Sequence, residues 1–148
     1  MNRQMITMVA IAAFVTMLAV ASVRAQNAGD LTVTIPFEFS AGGKTLPAGD
    51  YFVRRSFDSA RAVIRLEAKN GSESIYLATH VVEQLPVQNQ SKLVFNKYGN
   101  QFFLSRVWSA GRSTGAELNK TRRERALRQE IVRNAAKPET ITIATKAN

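Results

Sequence analysis

Residues 31–40, LTVTIPFEFS, alternate strictly: Leu31, Val33, Ile35, Phe37 and Phe39 fall on one side, Thr32, Thr34, Pro36, Glu38 and Ser40 on the other. A period of two is the mark of a strand with one face buried and one face wet. Pro36 has no N–H for a ladder, which places this strand at a sheet edge or a bulge. The same pattern continues downstream. Gly42-Gly43 signals a tight turn, and in Leu46-Pro47-Ala48-Gly49 proline sets one φ while glycine frees the exit. Residues 51–55 read as the next strand and residues 62–68 (AVIRLEA) as a third. Asn70-Gly71 is the signal for a two-residue hairpin into residues 74–84, which Pro86 ends.

The richest stretch is LVFNKYGNQFFLSRVW, residues 93–108, with five aromatic rings and two cations around one glycine. Residues 92–98 and 101–108 form two strands about Gly99-Asn100, a pair suited to a II′ turn with glycine first. That register sets Phe95 opposite Leu104, Asn96 opposite Phe103 and Lys97 opposite Phe102. At least six short strands joined by turn chemistry imply a mostly β chain, an antiparallel β-sandwich or small barrel. A C-terminal amphipathic helix follows over about residues 121–136. Thr121 and Glu124 match a capping box, and Ala126, Leu127, Ile131, Val132 and Ala135 make an apolar stripe. Lys137-Pro138 stops the helix, and residues 138–148 are a tail with weak alternation at Ile141 and Ile143, a candidate short strand.

The start of the chain reads as a processing segment. Arg3 supplies a positive end, residues 5–21 are apolar apart from Thr7 and Thr16, and Ser22-Val23-Arg24-Ala25 ends in small residues that suit a signal peptidase. Residues 1–25 are therefore expected to be a signal peptide, with an uncleaved anchor as the competing reading. The expected address is the periplasm or the extracellular space. Cleavage after Ala25 leaves about 120 residues, enough for one domain over residues 26–111 and a basic segment over residues 112–137. The chain has no cysteine, so no disulfide holds the fold in an oxidising compartment, and burial must do so. The formal net charge of +9 is uneven: residues 112–137 hold eight cations and three acids, residues 26–111 nine and seven.

Catalytic and cofactor signatures are missing from the sequence. His80 is the one histidine, and a zinc site without cysteine needs more. No Gly-x-Ser-x-Gly elbow or Walker spacing occurs. No cofactor and no metal are expected, and the chain is expected not to be an enzyme. Lys97, Tyr98, Phe102, Arg106 and Trp108, with Phe103, are candidates for a stacking platform for sugars or single strands, against the plainer reading of core packing. Arg122, Arg125, Arg128 and Arg133 are candidates for binding an anionic surface, against a solvated face with Glu124 and Arg128 as a pair four residues apart.

Two blocks, IPFEFSAGGKTLPAGDYFV (residues 35–53) and KLVFNKYGNQFFLSRVWSAGRSTGAELNKTRRER (residues 92–125), resemble a family of small exported bacterial β-rich proteins of uncharacterised function. The resemblance implies an exported β-rich fold with a short helix and carries over no activity. The leading expectation is a non-enzymatic binding or structural module of the cell envelope. Its basic helix would engage an anionic envelope component, lipid headgroup or polysaccharide, or another envelope protein, rather than nucleic acid. Two alternatives stand beside it: an envelope polysaccharide hydrolase using carboxylates such as Glu38, Asp50 and Glu67, and a small β-barrel carrier of an apolar ligand.

Overall fold

The computed structural model describes residues 30–58 and 61–147; the expected signal segment, residues 1–25, lies outside the described residues. Among these, the strands are β1 (Leu31–Ile35), β2 (Phe39–Ala41), β3 (Lys44–Leu46), β4 (Gly49–Asp58), β5 (Arg61–Ala68), β6 (Ser74–Glu83), β7 (Lys92–Tyr98), β8 (Gln101–Trp108) and β9 (Thr114–Leu118). One helix, α1 (Arg122–Arg133), comes next, and β10 (Glu139–Ala144) and β11 (Lys146–Ala147) complete the chain. The described residues are mostly β with a single helix. The helix is not the last element, because the tail forms strands.

All the strands belong to one sheet, in the order β10-β7-β8-β9-β6-β5-β4-β1-β11, with β2 and β3 as a side hairpin. Every pairing is antiparallel except one parallel bridge, Ser40 of β2 against Phe103 of β8. The ladder does not close on itself. Its two ends, β10 on β7 and β11 on β1, are separated in the chain by Thr145 alone.

Period two is realised as burial. Leu31, Val33 and Ile35 of β1 face inward with Tyr51 and Val53 of β4, Ile64 and Leu66 of β5, Leu77 of β6 and Leu93 and Phe95 of β7. The alternating run of residues 31–40 is not one strand, however. Pro36 cannot donate to the ladder, so pairing with β4 stops at Ile35 and the chain restarts at Phe39 in a new direction. The β2–β3 hairpin then turns on Gly42 and Gly43, both with positive φ (58° and 92°), which glycine alone adopts without strain.

Other turns confirm or amend the expectations. The β7–β8 register is as expected, Phe95 against Leu104, Asn96 against Phe103 and Lys97 against Phe102, with Gly99 at φ 61°. A bulge beyond Phe95 leaves Ser105 unpaired, which keeps both Leu104 and Val107 inward. Asn70-Gly71 does not make a two-residue hairpin. The Ala68 N–H bonds the Glu73 carbonyl, leaving residues 69–72 as a four-residue loop in which the Asn70 side chain accepts from the Ser72 N–H. An Asx turn competes with the tighter connection and wins here.

Strand β9 has no counterpart in the sequence reading, because TGAEL is short and carries a glycine. Gly115 is nevertheless what lets it pair: it sits opposite Trp108, and a Cβ there would come within 2.6 Å of the indole. Trp108 is 2 % exposed, lying over the space a side chain would occupy. Gly115→Ala is therefore expected to destabilise the protein by about 2 kcal/mol through overpacking, read as a lower urea midpoint. An unchanged midpoint would show that the indole is free to move aside.

Candidate functional site

The basic helix starts where the capping pattern places it and ends earlier than expected, at Arg133 rather than near residue 136. The Thr121 hydroxyl accepts from the Glu124 N–H at 3.2 Å. Glu124 does not complete the capping box. Its carboxylate turns into the body, is 4 % exposed, and accepts from the Asn96 amide at 2.8 Å and from the Tyr98 hydroxyl at 3.3 Å. A buried carboxylate needs donors, and two residues on one face of β7 supply them. At the far end the Ala135 N–H bonds the Val132 carbonyl and the Ala136 N–H bonds the Ile131 carbonyl, a Schellman closure with Ala135 at φ 55°.

Glu124, Leu127 and Ile131 share one side of the helix, and they are its buried or half-buried residues. The expected apolar stripe holds only at Leu127 and Ile131; Ala126, Val132 and Ala135 are exposed, Val132 by 59 %. The docking side is rotated because the buried carboxylate, not the widest apolar stripe, sets which residues face β7. Arg122, Arg125 and Arg133 lie away from that side and Arg128, one turn after Glu124, flanks it; all four are exposed. Arg125, Arg128 and Arg133 line a shallow surface with Gln129 and Val132. The alternative pairing of Glu124 with Arg128 does not form, since Glu124 is occupied by Asn96 and Tyr98.

Elsewhere several charges are paired between segments. Asp30 and Glu67 flank Arg54, Glu67 also meets Arg65 at 3.0 Å, and Lys44 pairs with Glu73. Glu117 of β9 lies between His80 of β6 at 3.1 Å and Arg106 of β8 at 3.5 Å, all three in direct cross-strand register. Lys97 pairs with Glu139 at 2.9 Å and ties β10 to β7. Among the described residues no ion pair reaches Arg122, Arg125, Arg128 or Arg133.

The aromatic hairpin does not present its rings together. Trp108 lies over Gly115, and Tyr98 is buried beside Phe103 with ring centroids 5.7 Å apart. Phe102 points to the other face of the sheet and stacks on Phe37 at 4.0 Å. Lys97 and Arg106 are engaged in the ion pairs above. Alternation sets Phe102 and Phe103 on opposite faces, and the bulge at Ser105 then turns Trp108 to the face opposite Phe102.

A cleft of about 240 Å³ opens beside Phe102, lined by residues 37–40, Thr45, residues 100–103 and Arg123. The Arg123 guanidinium donates to the Gln101 side chain at 2.6 Å. Sequence reasoning missed this site because its parts come from three separate segments. The three carboxylates of the hydrolase alternative do not meet in a cleft: Glu38 lines this one, Asp50 accepts from Thr34 at 2.6 Å beside another, and Glu67 stays with its arginines. Among the described residues there is no group of three or more acidic or histidine side chains placed to hold a metal, and no helix long and apolar enough to cross a membrane. Comparison with family models, curated proteins and solved structures finds no match for this chain.

Two outcomes test the helix anchor. Glu124→Ala leaves Asn96 and Tyr98 without their acceptor and is expected to cost about 2 kcal/mol in chemical unfolding. The Tyr98 phenol is raised above its ordinary value by burial, then by the charge and hydrogen bond of Glu124, with Arg128 pulling the other way. Its contribution is complete below the unfolded value near pH 10 and is lost as pH rises through the folded value. Stability should therefore fall above about pH 10, and less steeply in Tyr98→Phe; parallel curves for the two proteins would contradict the assignment.

Proposed function

We propose that the protein is an exported, non-enzymatic binding or structural module of the cell envelope that engages an anionic partner through α1. The observation that carries this reading is the outward face of the helix. Four exposed arginines lie on it with no ion-pair partner among the described residues, while the first-turn carboxylate, Glu124, is turned inward. Cations in the first turn lie at the positive end of the helix dipole, so Arg122 gains nothing from helix formation itself. Guanidinium groups match carboxylate and phosphate oxygens two at a time, which suits lipid headgroups, acidic polysaccharide or an acidic patch on another envelope protein. Val132, exposed among the arginines, adds an apolar contact of the kind an interfacial helix uses.

The β domain is the support in this reading. Its terminal strands are consecutive in the chain and lie on β7 and β1, so the sheet is taken as curled into an open barrel around one core. Large rings fill that core, with Phe39, Tyr51 and Phe95 each at most 1 % exposed, which favours a scaffold over a carrier of an apolar ligand.

Co-sedimentation with vesicles of phosphatidylglycerol or of phosphatidylcholine tests the reading. Binding to the anionic vesicles is expected to weaken steeply as salt shortens screening below about 8 Å. Replacing Arg122, Arg125, Arg128 and Arg133 by Gln is expected to lower affinity about a thousandfold, at roughly 1 kcal/mol per cation. Binding to an acidic polysaccharide with the same salt and arginine dependence would keep the mechanism and change the partner. Affinity for both that survives the four replacements would end it.

A further inference from the structure

We infer that the cleft between residues 37–40, the β7–β8 turn and Arg123 is a binding site for a single sugar ring of a saccharide. It lies apart from the outward arginines of α1 and goes beyond the reading given for them. Phe37, Phe39, Tyr51, Phe95 and Phe102 form one chain of ring contacts with centroids 4.0–5.5 Å apart. Phe39, Tyr51 and Phe95 are closed off by the core. Phe37 and Phe102 alone remain partly open, and both open on this cleft. They stack on each other at 4.0 Å with 16° between planes, so each covers one face of its partner and the part of the pair left open borders the cleft.

What surrounds that surface selects the ligand. The walls carry Glu38, Ser40, Thr45, Asn100, Gln101 and Arg123, a mixture of acceptors and donors within one small opening. Sugar hydroxyls both donate and accept, and the C–H face of a pyranose is weakly positive, as the negative face of a phenyl ring requires. A nucleobase would stack as well, but its phosphates would meet Glu38 with Arg123 already shared with Gln101. A lipid tail would leave the polar walls without partners. The orientation of Arg123 is fixed by its bond to Gln101 and by the anchoring of α1 through Glu124, so the cleft is assembled before any ligand arrives.

Amide shifts of the full-length chain, titrated with cellohexaose, chitohexaose and an oligo-uronate, test the site. The expected result is saturable binding of at least one of them, with the largest shifts at Asn100, Gln101 and Phe102. Phe102→Leu retains apolar contact with the core but removes the ring face, and is expected to weaken binding about tenfold. Gln101→Ala, on the rim, removes both its own contacts and the hold on Arg123 and should weaken binding in a protein with unchanged melting. Replacing Arg125 and Arg128 by Gln should leave the shifts at residues 100–102 with the saccharide that binds as they were, which separates this site from the helix face. No binding of any of the three saccharides, or shifts that leave residues 100–102 unmoved, would overturn the proposal. So would affinity that a folded Phe102→Leu variant keeps in full.

Discussion

The rest of the structure depends on Phe39. Its ring meets Tyr51 of β4 at 5.4 Å and Phe95 of β7 at 5.5 Å, both edge to face, which joins the side hairpin to two strands on opposite flanks of the sheet order. Edge-to-face pairs of this kind contribute about 1 kcal/mol each beyond the area they bury. In a chain without cysteine, this is how distant segments are held in register. The Tyr51 hydroxyl also donates to the Pro47 carbonyl at 2.7 Å, so the ring that packs Phe39 ties down the turn by which the hairpin returns to β4.

A second constraint is polar. Burying Glu124 is tolerable only because Asn96 and Tyr98 stand in register on the face of β7 that α1 covers. The rotation of the helix follows from that one carboxylate, and with it the outward direction of the arginines. Several charges of the body are paired across strands, as around Glu117 and Arg54, whereas Arg122, Arg125, Arg128 and Arg133 of the helix have no ion pair among the described residues. Net positive charge is therefore concentrated on one projecting element rather than spread over the surface, and such an arrangement raises the field where the element meets a partner.

Much of the fold was legible in residues taken a few at a time. The alternation of Leu31, Val33 and Ile35, the Gly42-Gly43 turn and the pairing of residues 92–98 with 101–108 rest on local geometry that neighbouring residues settle among themselves. Reasoning of that kind failed where a distant partner decides. TGAEL becomes a strand because Trp108 needs the bare backbone of Gly115, and Glu124 leaves its capping role because the donors on β7 are better placed than the helix N-terminus. Of the residues singled out for binding, Arg122, Arg125, Arg128 and Arg133 are all exposed, spread over an arc of the helix that begins beside Glu124 at Arg128. Tyr98, Phe102 and Trp108 do not share one face, because Tyr98 pairs with Gln101 and the bulge at Ser105 turns Trp108 away from the face of Phe102.

By itself, then, the sequence determined the strand-rich class, the turns and the presence of one basic helix, all properties of periods and of single backbone preferences. Which rings are closed in the core and which stay open at the Phe37–Phe102 cleft was decided only by tertiary structure. So was the face that α1 turns to solvent. Both depend on contacts between segments far apart in the chain, where the free energy lies in burial and in satisfying one buried carboxylate, and no local pattern encodes either.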